Sequence, residues 1–182
     1  MAAIGATEWA AVSGVGVVIF VTVGAQMPFD RLVKTVDQWA ISRGRGDVFA
    51  QIGPTDIYPS GIQWTKFMDP AEFRHRFNTA KVIVAHAGTG SIITALQVGK
   101  PILVMPRRSS LRETRNDHQV ATAEQFRRFP SVVVAWDEKE LIARLERIDD
   151  LGGLQAVGPH AAPELVGAIR SFIDGIDVIP PA

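Results

Sequence analysis

Six short runs, most of them apolar and rich in β-branched residues, punctuate this chain and constrain its fold more than any other feature. They are Val17–Val23, Val48–Ile52, Ile62–Phe67, Lys81–Ala85, Ile102–Met105 and Val132–Ala135. Each is too short for a buried helix and reads as a strand covered on both faces. Helical stripes lie between most of them. Leu32, Val33, Val36 and Trp39–Ala40 recur at helical spacing between Phe29 and Ile41, and Gly44 with Gly46 stops that helix. Asp69, Pro70 and Glu72 read as an N-cap, a first-turn proline and an early acid, opening a helix to Thr79. Further helices are expected at Ser91–Val98, Asp117–Arg128 and Glu138–Ile148. Strands alternating with helices in this way predict an α/β fold, with a parallel sheet, right-handed crossovers and helices on both faces.

The 182 residues fit one domain, and 47% hydrophobic content suffices for a sizeable core. Residues 1–16 read as a flexible leader, 17–150 as the domain, and 151–182 as a tail with one helix near Pro163–Ile173. The apolar stretch Ala10–Ala25 holds 16 residues, short of the ~20 a spanning helix needs. No Lys or Arg precedes it within Met1–Ala10, so it lacks the basic flank of a secretory signal. Nineteen basic residues balance 19 acidic ones, which argues against a nucleic-acid partner. The chain has no cysteine, which excludes disulfides, thiolate metal sites and cysteine nucleophiles.

Ligands of open α/β sheets bind beyond the carboxyl ends of the strands. Three such ends here carry unusual residues: Gly24-Ala25-Gln26, His86-Ala87-Gly88-Thr89-Gly90-Ser91, and the loop from Pro106 to Gln119. In the second, Gly88 and Gly90 permit positive φ and close backbone approach. The helix behind them aims free N–H groups and a positive dipole end at the loop, which suits a diphosphate. Ser91 is placed to cap that helix or to meet an oxygen, and His86 to donate to a phosphate. The residues alone leave open a plain tight turn beside a buried histidine. They form neither a full dinucleotide fingerprint nor a Walker loop. The third loop holds Arg107, Arg108, Arg112 and Arg115 within nine residues, and 14 of the 19 basic residues of the chain are Arg. Guanidinium forks match the oxygens of a diphosphate or a sugar carboxylate. Asn116, Asp117, His118 and Gln119 suit a polyol, although a charged surface loop with a helix cap has the same composition.

Together these stretches resemble the donor-binding half of glycosyltransferase family 28, in its short stand-alone form. The resemblance is carried by Ile19–Val33, Val48–Gly53, Val82–Arg108 and Asn116–Ala123, and it covers Val17 to Ile148. It implies the carboxyl-terminal Rossmann-like half of a GT-B enzyme, which binds a UDP-sugar. Gly24, Ala25 and Gln26 would border the diphosphate, Phe67 and Met68 the uracil, and His86 to Ser91 the diphosphate again. Arg107 and Arg108 would face anionic oxygens, and Asn116 to Gln119 the donor sugar. The family commonly has Glu, placed for the ribose hydroxyls, where this chain has Thr94.

The short members of the family imply partners as well. They are bacterial exopolysaccharide glucuronosyltransferase subunits and the N-acetylglucosaminyltransferase subunit of asparagine-linked glycosylation. A membrane-anchored acceptor-binding subunit would complete the enzyme, recruit a polyprenyl-diphosphate glycolipid and supply the base, with His118 a weak candidate on this chain. The protein would then lie at the cytoplasmic face of the membrane through that partner. The expected reaction is a single inverting displacement, without a cofactor and, in the absence of an Asp-x-Asp motif, without an essential metal. The MPRRSSLRETRNDHQ stretch favours the bacterial subgroup and a glucuronate donor. The alternatives are an N-acetylglucosamine donor, an epimerase, and a non-catalytic regulator that binds nucleotide sugars.

Overall fold

The computed structural model describes residues 18–153. The expected leader and the expected tail helix both lie outside this range. Chain order runs β1 (Ile19–Thr22), α1 (Asp30–Arg43), β2 (Val48–Gln51), β3 (Gln63–Thr65), α2 (Pro70–Thr79), β4 (Val82–His86) and α3 (Thr89–Gln97). It continues with β5 (Ile102–Met105), α4 (His118–Phe126), β6 (Val132–Val134) and α5 (Glu138–Leu145). All six expected strands form. They make one parallel sheet in the order β3-β2-β1-β4-β5-β6.

Alternation along each strand sends side chains to two cores, one per face. Ile19, Val21 and Val23 point to the face covered by Leu32, Val36 and Trp39 of α1 and by Leu141 and Leu145 of α5. Phe20 points to the other, where Phe77 of α2, Ile92 and Leu96 of α3 and Phe126 of α4 pack. Both faces are dry, which is why the strands read as unbroken apolar runs.

Local signals set the helix ends. The Asp69 carboxylate accepts the amides of Ala71 (2.8 Å) and Glu72 (2.9 Å), so α2 starts at the expected cap. Gly44 closes α1 at φ 60°. Two expectations shift. Helix α3 begins at Thr89, two residues before the expected Ser91, with Gly88 in the extended N-cap position. Helix α5 ends at Leu145, and a 3₁₀ turn follows at Ile148–Gly153.

Candidate functional site

Strands β1 and β4 are neighbours in space but not in sequence, and the strand order reverses between them. The crevice expected at such a switch point, the usual ligand position in these sheets, lies between the loops that follow β1 and β4. The Gly24–Gln26 loop forms one wall and the His86–Ser91 segment the other. The first backbone bond of α3 runs from the Ile92 amide to the Gly88 carbonyl. Among the described residues, the amides of Thr89, Gly90 and Ser91 find no acceptor, and no side chain caps the helix. Unpaired amides and the positive end of the helix dipole therefore meet at the crevice.

His86 sits at the centre, with its imidazole between Gly24 and Gly88. A Cβ at Gly88 would lie 2.3 Å from His86 Nε2, and one at Gly24 3.1 Å from Cε1. The ring thus requires glycine at 88 and leaves little room at 24. Gly24 is also left-handed, at φ 77°. This corrects the expectation of a left-handed glycine loop, since Gly88 has φ −82° and Gly90 is already helical. Ser91 lies in the first turn and does not cap. Gly90 alone meets its expected part in space, because a Cβ there would touch nothing within 4 Å.

His86 Nδ1 lies 3.4 Å from the Thr22 carbonyl. A carbonyl only accepts, so the proton is on Nδ1 and Nε2 carries the lone pair. Burial first, and then the nearby Arg107 charge, pull the imidazole down to about 4 despite the Thr22 bond. The expected phosphate donor is therefore neutral at pH 7, and Nε2 can donate only after gaining a proton.

The arginine loop differs most from expectation. Arg107 is buried, and its Nη2 donates to the carbonyls of Val23 (2.8 Å) and Met27 (2.7 Å), strapping down the loop after β1. Its Nε is buried without a partner, and it joins no salt bridge among the described residues. Burial lowers it to about 10, so it stays charged at neutral pH. Arg108 donates from Nη2 to the Trp136 carbonyl (2.8 Å). Glu113 receives Arg31 Nε (2.6 Å) and the Arg108 amide (2.9 Å). Arg107 and Arg108 are thus struts, and only Arg112 and Arg115 of the four remain exposed.

The polyol-reading residues are also partly committed to the loop. Asp117 accepts the Ser109 amide (2.8 Å) and hydroxyl (2.9 Å), bonds that hold its carboxyl below the usual range. Asn116 Oδ1 accepts the His118 amide (3.3 Å), and Gln119 Oε1 accepts the Arg107 amide (3.1 Å). His118 is exposed. Thr94 donates its hydroxyl to the Gly90 carbonyl (2.8 Å), so its one proton is already used. Phe67, just past β3, is half exposed at the far end of the same edge, with Met68 partly buried beside it. Ala25 and Gln26 are exposed on the first wall. Ala87 is buried against α3 and cannot meet a ligand through its side chain.

Sequence reading missed Thr22 and Gln51. Thr22 Oγ1 donates to Gln51 Oε1 (2.8 Å), and both are buried. The available signal was a polar residue ending each apolar strand. Among the described residues, no three His, Asp or Glu side chains converge as a metal site would need.

Residues 18–150 match the model of the glycosyltransferase family 28 C-terminal domain. The chain belongs to that family. This family 28 domain is a glycosyltransferase domain of the Rossmann-like α/β class. Two relatives carry the name UDP-N-acetylglucosamine transferase subunit ALG13. The one from Yarrowia lipolytica is 27% identical over 160 residues, 78% of this chain and 71% of that protein. The human one is 29% identical over 118 residues, 59% of this chain, and the match spans only 10% of the human protein. Among solved structures, the NMR solution structure of ALG13 superposes with TM-score 0.57 at 21% identity, covering 80% of this chain and 92% of that one. The glycotransferase of kitacinnamycin gives 0.57 at 20% identity, covering 88% of this chain and 40% of that one. UDP-GlcNAc 2-epimerase from Neisseria meningitidis, bound to UDP-GlcNAc, gives 0.53 at 12%, covering 91% and 45%. These likenesses show a shared fold. The family 28 domain matches less than half of each of the last two chains, as one half of a GT-B enzyme does.

Proposed function

We propose that this chain is the donor-binding, catalytic part of a two-component inverting glycosyltransferase that uses UDP-N-acetylglucosamine. The observation that carries the reading is the occurrence, at the switch point between β1 and β4, of three acceptor-free α3 amides and the buried Arg107 charge, which joins no salt bridge among the described residues. Such a place favours a dianion over a neutral ligand. The choice of sugar rests on the names of the ALG13 relatives. A glucuronate donor, and with it the exopolysaccharide role, drew support from free guanidinium forks. Arg107 and Arg108 spend theirs on backbone carbonyls, which removes much of that support.

In the reaction, an acceptor hydroxyl attacks the anomeric carbon as the bond to the diphosphate oxygen breaks, and UDP leaves. Negative charge grows on the diphosphate, where the α3 amides and a protonated His86 Nε2 stabilise it. The hydroxyl proton passes to a base on a second chain, which also holds the acceptor. That chain would be membrane-anchored and its acceptor a polyprenyl-diphosphate saccharide, placing the complex at the cytoplasmic membrane face. No helix among the described residues is long and apolar enough to cross a membrane.

The test is calorimetric titration of the full chain with UDP and UMP, followed by transfer assays with the co-expressed partner and a panel of UDP-sugars. UDP is expected to bind more tightly than UMP, and UDP-N-acetylglucosamine to be the preferred donor. Absence of UDP binding with and without the partner rejects the reading. Preference for UDP-glucuronate overturns the sugar assignment, and binding without transfer marks a regulator.

A further inference from the structure

A chain of buried polar contacts runs across the carboxyl ends of four strands. His86 of β4 meets the Thr22 carbonyl of β1. The Thr22 hydroxyl receives the Gly24 amide (3.3 Å) and donates to Gln51 Oε1 of β2 (2.8 Å). That donation fixes the orientation of the Gln51 amide, because its Oε1 end is occupied as an acceptor. The Nε2 end then donates both its protons, one to the Gly24 carbonyl (3.0 Å) and one to the Lys66 carbonyl (3.0 Å) just past β3. Gln51 is 4% exposed, and its bond from Thr22 is fully buried while the two to the carbonyls are partly so.

The two carbonyls belong to different loops, one past β1 and one past β3. Gly24 opens the loop beside the proposed diphosphate position, and Lys66 opens the Phe67–Met68 segment beside the proposed base position. We propose that Gln51 is a positioning residue that fastens these two loops to each other, so that diphosphate and base are gripped in one fixed spacing. This rests on the nucleotide reading of the crevice. No other side chain of similar size does the same work. Met fills the volume but offers no donor, and Glu turns an anionic oxygen toward two carbonyls. Asn is one methylene shorter and cannot span both.

The experiment uses the full chain. UDP affinity is measured by calorimetry for wild type, Gln51→Met and Gln51→Glu, well below each melting temperature, at pH 5.5 and 7.5. Gln51→Met is expected to bind UDP about tenfold more weakly, the loss of two neutral hydrogen bonds behind the walls. Gln51→Glu is expected to bind weakly at pH 7.5 and to recover in part relative to wild type at pH 5.5, where a buried carboxyl takes up a proton and regains one of the two donors. A purely structural role would lower the melting temperature and leave these affinities alone. Gln51→Met binding within twofold of wild type overturns the inference, as does a Gln51→Glu deficit that is the same at both pH values. If Gln51→Met does not fold, the pH comparison on Gln51→Glu decides alone. A wild type that fails to bind UDP overturns the functional reading itself, and this inference with it.

Discussion

Replacing Gly88 by Ala separates two explanations of the glycine-rich segment. If Gly88 exists for ligand approach, the free protein tolerates a methyl there. The structure says otherwise, because the new Cβ would lie 2.3 Å from His86 Nε2 and 2.9 Å from Cδ2, where ordinary contact begins at 3.4 Å. The three atoms nearest that Cβ all belong to the His86 ring, so it is the ring that has to give. The imidazole must leave its seat and its contact with Thr22. Forced overpacking of this kind costs about 1–3 kcal/mol, and a domain of this size melts roughly 3–6 °C lower per kcal/mol. Loss of the phosphate contact weakens UDP binding roughly tenfold to hundredfold, the range for a hydrogen bond to a charged group. Gly90→Ala is the control. Its methyl meets nothing within 4 Å and sits in a helix, so stability holds or rises by up to ~1 kcal/mol. UDP binding nevertheless falls, because the methyl stands where the α3 amides meet the ligand. The assays are thermal unfolding, UDP calorimetry and the His86 ring resonances by NMR. A Gly88→Ala protein that melts like wild type with unmoved His86 resonances would refute the reasoning.

Three further outcomes follow from the same residues. His86 is held at about 4 in the folded chain against an ordinary 6.5, so its contribution to stability is complete above pH 6.5 and is lost as pH falls toward 4. That contribution is roughly 3 kcal/mol, and it should vanish from urea unfolding curves of His86→Gln compared at pH 7 and pH 4; equal pH slopes for variant and wild type would contradict it. UDP binding near pH 6 should take up more protons in wild type than in His86→Gln, because Nε2 gains one beyond whatever the UDP phosphate exchanges, seen as a difference between the two in buffer-dependent heat; the same buffer dependence in both excludes the mechanism. Arg107→Met leaves the Val23 and Met27 carbonyls without their donor and should cost about 2 kcal/mol. It should also let His86 titrate at higher pH, because a nearby positive charge is gone; an unmoved His86 titration would show that the charge is not felt there.

Most of the fold was legible because most strands are largely apolar and the long helices announce their ends. Asp69 before Pro70, and Gly44 after Ile41, are local chemistry that tertiary packing had no reason to override. What local pattern does not carry is the start of α3. Gly88 and Gly90 are poor helix formers, which favours a later start at Ser91. The buried contacts of Ile92 and Leu96 against the sheet draw the helix back to Thr89.

The site was legible in position but not in role, and the reason is the same at each residue. Composition records which groups a loop owns, not which of them are already spent. Arg107 looks like an anion ligand until the Val23 and Met27 carbonyls claim its Nη2. Asp117 looks like a sugar ligand until Ser109 claims its carboxylate. Gln51 looks like an ordinary strand residue until its one amide is seen to hold Gly24 and Lys66 at once. A long-range hydrogen bond leaves no trace in local sequence, so struts and ligands are indistinguishable there. The α3 amides escape this ambiguity, because helix geometry itself leaves them without acceptors. Anion binding here therefore begins with backbone that any sequence folding this way would present, and the buried Arg107 adds its charge. Side chains decide only which anion fits and how firmly its two ends are held.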